Sequence, residues 1–129
     1  MNLLLDTNAY TALASGDRKI LKRLSATPRL LMSVVVVGEL EYGFRYGSRY
    51  EENRRSLEAF LNEPYVEYLT LSRETTLRYG ALCAELRRAG RTIPSNDAWI
   101  AAQALEHGAE LLTRDSHFGN VAGILVSTW

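Results

Sequence analysis

Five short apolar runs, at residues 3–5, 30–37, 66–71, 109–113 and 124–126, are separated by longer segments whose apolar residues recur at helical spacing. Strands divided by helices cannot close as tight hairpins. They pair in parallel through crossover connections, and both faces of the resulting sheet must then be covered. The expected fold class is therefore α/β: a three-layer α/β/α sandwich with a central, mainly parallel sheet. At 129 residues the chain is expected to form one domain, residues 1–129. Its 47% hydrophobic and 23% charged residues supply an ordinary core and exclude a disordered or fibrous chain.

The segment boundaries carry local signals. The run Leu3, Leu4, Leu5 stops at Asp6-Thr7-Asn8, residue types that favour caps and turns, so a buried strand feeds a helix there. Residues 10–14 form a short helix ended by Gly16, and Asp17 caps a second in which Ile20, Leu21 and Leu24 share a face. The run at 30–37 is strand-like by its valines, but Leu40 and Phe44 continue at helical spacing, so the strand is expected to end near Ser33, with Ser33 or a neighbour as cap. Residues 50–62 read as an amphipathic helix stopped before Pro64, residues 66–71 as a strand, and residues 73–89 as a helix ended by Gly90. The sequence Pro94-Ser95-Asn96-Asp97 starts a helix that is apolar nearly all round to Leu105 and is expected to be buried. Strands at 109–113 and 124–126 then flank a polar loop at 114–120.

The charge balance points to no partner. Fifteen basic and fifteen acidic residues cancel, so contact with nucleic acid would depend on local patches. One cysteine makes no internal disulfide, no apolar run approaches the roughly 18 residues of a membrane span, and Asp6 interrupts any secretory-type apolar stretch. A cytoplasmic protein without membrane association is expected.

Asp is used sparingly, four times against eleven Glu, so each Asp calls for a reason. Asp6 and Asp115 fall at or just past the carboxyl ends of two expected strands, where ligands gather in parallel sheets. Asp97 lies in the first turn of a helix, and Glu39 lies about one and a half turns after another strand ends, following four valines. Singly, Asp6 explains itself as a cap, Asp97 as a complement to the helix dipole and Asp115 as an Asx turn. Glu39 does not, because a buried carboxylate without a partner is costly. A hard divalent cation shared among these carboxylates would give all four one cause.

The segments Leu3 to Asn8, Ser33 through Gly43, Asn96 to Ala102 and Leu112 to Phe118 resemble the successive motifs of PIN domains, in particular VapC-type toxins of bacterial toxin–antitoxin pairs. The resemblance spans essentially the whole chain. It implies a metal-dependent endoribonuclease in which Asp6, Glu39, Asp97 and Asp115 are catalytic and hold Mg2+ or Mn2+. It further implies that Asn8 and Thr113 orient carboxylates or water, and that products carry 5′-phosphate and 3′-hydroxyl ends. The implied partners are an RNA substrate, a cognate antitoxin and a second copy of the chain in a homodimer. The antitoxin is expected to lay a helix or extended segment over the acids and over a groove formed by Tyr42 to Tyr50, with one of its Arg residues among the carboxylates.

Rival readings are weaker. Phosphotransfer at Asp6 of the haloacid dehalogenase type needs a second Asp at position 8, where Asn8 stands, and a receiver domain needs a late Lys that is missing. A noncatalytic PIN-like protein-binding module is the alternative from another class. His117 reads as a polar loop residue near enough to touch substrate, His107 as a helix-end residue and Cys83 as a small helix residue. Arg87, Arg88 and Arg91 suit either an RNA backbone or a solvated helix end, and Gly38, Gly43 and Gly47 make no phosphate loop. The aromatic cluster Tyr42, Phe44, Tyr46 and Tyr50 reads as core or protein interface before base stacking.

Overall fold

The computed structural model describes residues 1–129. Five strands, β1 (Leu3–Leu5), β2 (Leu30–Ser33), β3 (Val66–Leu69), β4 (Glu110–Leu112) and β5 (Leu125–Ser127), form one sheet in the order β3-β2-β1-β4-β5. Every pairing is parallel, and β1 is held between Leu30 and Leu31 of β2 on one side and residues 110–112 of β4 on the other. Six helices flank it: α1 (Thr7–Ala14), α2 (Arg18–Ser25), α3 (Val34–Tyr46), α4 (Tyr50–Leu61), α5 (Arg73–Arg88) and α6 (Ser95–Glu106). The result is the expected α/β/α sandwich. The chain lays strands outward from β1 to β3 and then crosses to the other side of β1 for β4 and β5, so strand order reverses between β1 and β4. In open parallel sheets that reversal opens a crevice at the carboxyl ends of the two strands.

The core explains why β1 lacks the alternation of a half-exposed strand. Leu3, Leu4 and Leu5 are at most 1% exposed, as are Leu111 and Leu112 of β4, because helices cover both faces. Each such leucine is worth about 1.5–3 kcal/mol relative to exposure. The helix after β2 begins directly at Val34, with Ser33 as its cap: the Ser33 hydroxyl accepts from the Val35 N–H at 3.0 Å. Gly16 and Gly90, which end α1 and α5, adopt φ of +81° and +69°, the left-handed backbone that lets a helix stop within one residue.

Several boundaries move. Helix α1 starts at Thr7 rather than residue 10, because Asp6 is itself the N-cap and its carboxylate accepts from the Thr7 N–H at 2.8 Å. Strand β3 stops at Leu69, two residues early, and β5 is shifted one residue along as an edge strand with Leu125 and Val126 exposed. The loop at 114–120 contains a 3₁₀ turn, Ser116–Asn120, pinned by the fully buried Phe118. The aromatic cluster is not one unit. Tyr42 and Tyr46 are 66% and 79% exposed, Phe44 packs against the core, and the Tyr50 hydroxyl donates to Glu41 under the Arg45 guanidinium.

Helix α6 is fixed from three directions. Tyr79 of α5 stacks on Trp99 with ring centroids 3.7 Å apart. The buried Gln103 donates through Nε2 to the Leu69 and Thr70 carbonyls, and the Thr75 and Ser72 hydroxyls that cap α5 donate to Glu106 at 2.5 and 2.8 Å. Its first turn, carrying Asp97, is thereby held against the sheet end.

Candidate active site

At the crevice between β1 and β4, Asp6, Thr7, Asn8, Thr11, Glu39, Asp97 and Asp115 line one cavity of about 410 Å3 with no apolar residue in its wall. All four carboxylates singled out in the sequence meet there, although 109 positions separate the first from the last. Asp6 arrives on the end of β1, Asp115 just past β4, Asp97 on the first turn of α6, and Glu39 on α3, whose start follows β2 directly.

Thr113 is the hub. Its hydroxyl, 2% exposed as a residue, donates to Asp6 Oδ2 at 2.6 Å and accepts from the Asp115 N–H at 3.0 Å and from Asn8 Nδ2 at 3.3 Å. Asn8 Nδ2 also reaches Asp6 Oδ2 at 3.4 Å, and Asn8 Oδ1 accepts from the Arg114 N–H at 3.2 Å. Asn8 and Thr113 thus tie α1 to the end of β4 and fix one carboxylate oxygen of Asp6, while the Thr7 N–H fixes the other.

Three residues join the site without having been assigned to it. Thr7 follows Asp6, and its hydroxyl donates to Glu39 Oε1 at 2.8 Å, giving that half-buried carboxylate the partner it lacked in sequence. Thr11, one turn on, lies on the same face. His117 turns its Nδ1 to 3.1 Å from Asp115 Oδ1 and 3.4 Å from Asp97 Oδ2, and those three ligand atoms lie within 4.8 Å of one another. The signal was present at Asp115-Ser116-His117: the His117 N–H donates to Asp115 Oδ1 at 2.9 Å, an Asx turn that folds the ring back over the acids. His107 caps the end of α6, Cys83 is a half-buried residue of α5, and Arg87, Arg88 and Arg91 lie exposed at the end of α5 and just beyond it.

Burial in this crevice shifts the protonation of two of the acids, Asp6 and Asp97. Burial pushes Asp6 above the ordinary aspartate value, against the Thr113 and Thr7 hydrogen bonds, and the charge of Asp115 adds to the rise. Asp97 is raised by burial and by the charges of Asp115, Asp6 and Glu39, with the His117 contact pulling the other way. A cavity walled by oxygen donors whose negative charges oppose one another matches the demands of a hard divalent cation, which prefers oxygen ligands and would stabilise the ionised acids.

Residues 3–124 match the family described as PIN domain. The chain is 31% identical to Ribonuclease VapC1 of Haemophilus influenzae strain R2866, over all of this chain and 98% of that protein. Among solved structures, VapBC2 from Rickettsia felis, bound to a DNA fragment from their promoter, superposes with a TM-score of 0.91 at 28% identity, covering 100% of this chain and 99% of that one. VapBC-1 from nontypeable Haemophilus influenzae gives 0.89 at 31% identity, covering 100% and 98%.

Proposed function

The chain belongs to the PIN domain family, with VapC-type relatives, and on that premise we propose that it is a Mg2+- or Mn2+-dependent endoribonuclease, the toxin of a toxin–antitoxin pair acting in the cytoplasm. The observation that carries this reading is the meeting of Asp6, Glu39, Asp97 and Asp115 in one polar cavity at the sheet's switch point. No helix of the chain is long and apolar enough to cross a membrane, in keeping with an aqueous substrate.

A phosphodiester is an anion, and a site made of carboxylates would repel it. Asp6, Asp97 and Asp115, with Glu39 beside them, would hold Mg2+ or Mn2+, which when bound would supply the missing positive charge and lower the pKa of a water at neutral pH. The chain's own residues do the rest. Asp6 is locked by Thr113, Asn8 and the Thr7 N–H, so neither of its oxygens can swing away. Asp115 is oriented by the same Thr113 hydroxyl. Glu39 has one oxygen held by Thr7, which leaves the other to accept a proton from the attacking water or to complete the cation's shell. In this reading water adds at phosphorus as the bond to the 3′-oxygen breaks, which leaves the 5′-phosphate and 3′-hydroxyl ends that the PIN resemblance implies. Phosphotransfer at Asp6 is disfavoured by the same geometry, since a carboxylate 5% exposed with both oxygens hydrogen-bonded is poorly placed to attack phosphorus.

The two proposed protein partners would use different surfaces. A cognate antitoxin would silence the site by placing an Arg among the carboxylates, because a guanidinium matches them bidentately and excludes the cation. A homodimer would cover apolar area such as the cavity of about 500 Å3 along α5 bordered by Leu77, Ala81, Leu82 and Leu86, where Leu77 is 70% exposed. Light scattering of the purified chain at micromolar concentration tests the dimer, and a monomer mass of 14.5 kDa would refute it.

The deciding experiment for the activity is RNA cleavage with added Mg2+ or Mn2+, comparing the chain with Asp97→Asn. Cleavage that needs the cation and is lost in the folded variant is expected. Full metal-dependent activity in Asp97→Asn would overturn the site, and metal-bound, folded protein that cleaves no RNA would favour a noncatalytic binding module.

A further inference from the structure

One stripe of α3, made of Val34, Val35, Gly38, Glu39 and Tyr42, faces Asn96 across a second cleft of about 360 Å3. Glu39 lines both this cleft and the acidic cavity, so the two are adjacent and share a wall. Their chemistry differs. The acidic cavity has no apolar lining, whereas half the residues bordering the second cleft are hydrophobic.

Resting on the ribonuclease reading, we propose that this cleft is a nucleobase subsite, holding the base of a single-stranded RNA nucleotide next to the phosphodiester being cut. Three features fit that occupant. Tyr42 offers an aromatic ring that is 66% exposed, and Tyr46 meets it in an edge-to-face contact at 5.1 Å between centroids that leaves much of the ring open. Unpaired bases in RNA are recognised by stacking on such rings and by hydrogen bonds along their edges. Asn96, exposed one residue before Asp97, carries both an amide donor and a carbonyl acceptor for a base edge.

The third feature is Gly38. It sits inside α3, where glycine is the poorest helix former after proline, yet its φ is not in the left-handed region and an added Cβ would meet nothing within 4 Å. Neither backbone conformation nor packing calls for glycine here. What it does provide is room, since Gly38 borders this cleft as well as a second one toward α4, and a bulky side chain at 38 would take up the space around it. Gly43 and Gly80 are equally open helical glycines but border no cleft beside the acids.

The test is steady-state cleavage of a short RNA whose scissile bond has been mapped, with Mn2+ affinity measured separately by electron paramagnetic resonance. Tyr42→Leu, which removes the ring, is expected to raise KM about tenfold with kcat within about twofold, while Tyr42→Phe keeps KM near that of the parent. Gly38→Leu, a substitution that favours the helix, should fill the cleft and raise KM at least as much with Mn2+ affinity unchanged. Replacing one nucleotide beside the scissile bond by an abasic residue should erase the Tyr42→Leu effect, since ring and base are then removed from one contact. Unchanged KM in both Tyr42→Leu and Gly38→Leu, with a cleaving parent, overturns the subsite and leaves the ribonuclease reading intact. The same KM with a changed oligomer mass assigns the cleft to a protein contact and likewise overturns it. A parent that binds Mn2+ but cleaves no RNA overturns both.

Discussion

Thr113→Val isolates the hydroxyl that holds the acidic cavity in register, because valine keeps the side chain's shape and removes only its polar group. Three contacts are lost at a residue 2% exposed: the donation to Asp6 Oδ2 at 2.6 Å, and the acceptance from the Asp115 N–H at 3.0 Å and from Asn8 Nδ2 at 3.3 Å. A hydrogen bond to a charged group is worth about 1.5–3 kcal/mol, and the two longer contacts are partly recovered through water at the cavity mouth, so the expected loss is about 2–4 kcal/mol. In a chain of this size that lowers Tm by roughly 10 °C. The penalty depends on pH in a definite direction. Thr113 stabilises the ionised form of Asp6, so the penalty is full where Asp6 is charged and shrinks as pH falls through its raised folded value. Urea unfolding of parent, Thr113→Val and Thr113→Ser without divalent cations, at neutral and mildly acidic pH, measures it, with Thr113→Ser expected to retain most of the stability. A Thr113→Val loss below about 1 kcal/mol at neutral pH, or one that grows on acidification, would refute the claim that this hydroxyl positions Asp6.

Asp97→Asn should stabilise the metal-free chain while weakening Mn2+ binding. Burial and three neighbouring carboxylates hold the folded Asp97 above its ordinary value of 3.8, so the folded state binds that proton more tightly than the unfolded chain and loses stability as pH rises through this window. The variant's advantage, read by calorimetry with chelator present, should therefore be largest near about pH 7 and fade toward about pH 4, and a parent more stable than the variant at neutral pH would contradict it. Phe118→Ala removes the fully buried ring that anchors the turn carrying Asp115 and His117. It should cost about 3–5 kcal/mol and weaken Mn2+ binding although Phe118 does not line the acidic cavity, whereas unchanged affinity in the folded variant would show that the turn is held by other contacts.

The layered architecture was legible because it rests on short-range signals. Continuous leucines at 3–5 announced a strand buried on both faces, and Asp6, Ser33 and Asp17 announced helix starts, because caps act within three residues of themselves. Even the valines at 34–37, strand-like by propensity, gave way to the helical spacing of Leu40 and Phe44, since the amphipathic pattern decides which face can be buried. The site was legible only through four motifs taken together. Nothing local states that residues 6, 39, 97 and 115 meet, and each acid alone is a cap, a dipole partner or a turn residue.

Their meeting was decided by the strand order. Placing β4 beside β1 rather than beside β3 brings Thr113 and Asp115 to Asp6, and the packing of α3 and α6 at that sheet end brings Glu39 and Asp97. Tertiary structure alone also set the roles of residues whose types are ambiguous. Thr7 became the partner of Glu39, the turn at 115–117 aimed His117 at two carboxylates, and Tyr42, a candidate for core or protein interface in sequence, was left exposed beside Glu39. Burial and hydrogen bonding depend on what lies across space, and a helix face carries no mark of its neighbour until the sheet order has placed that neighbour against it.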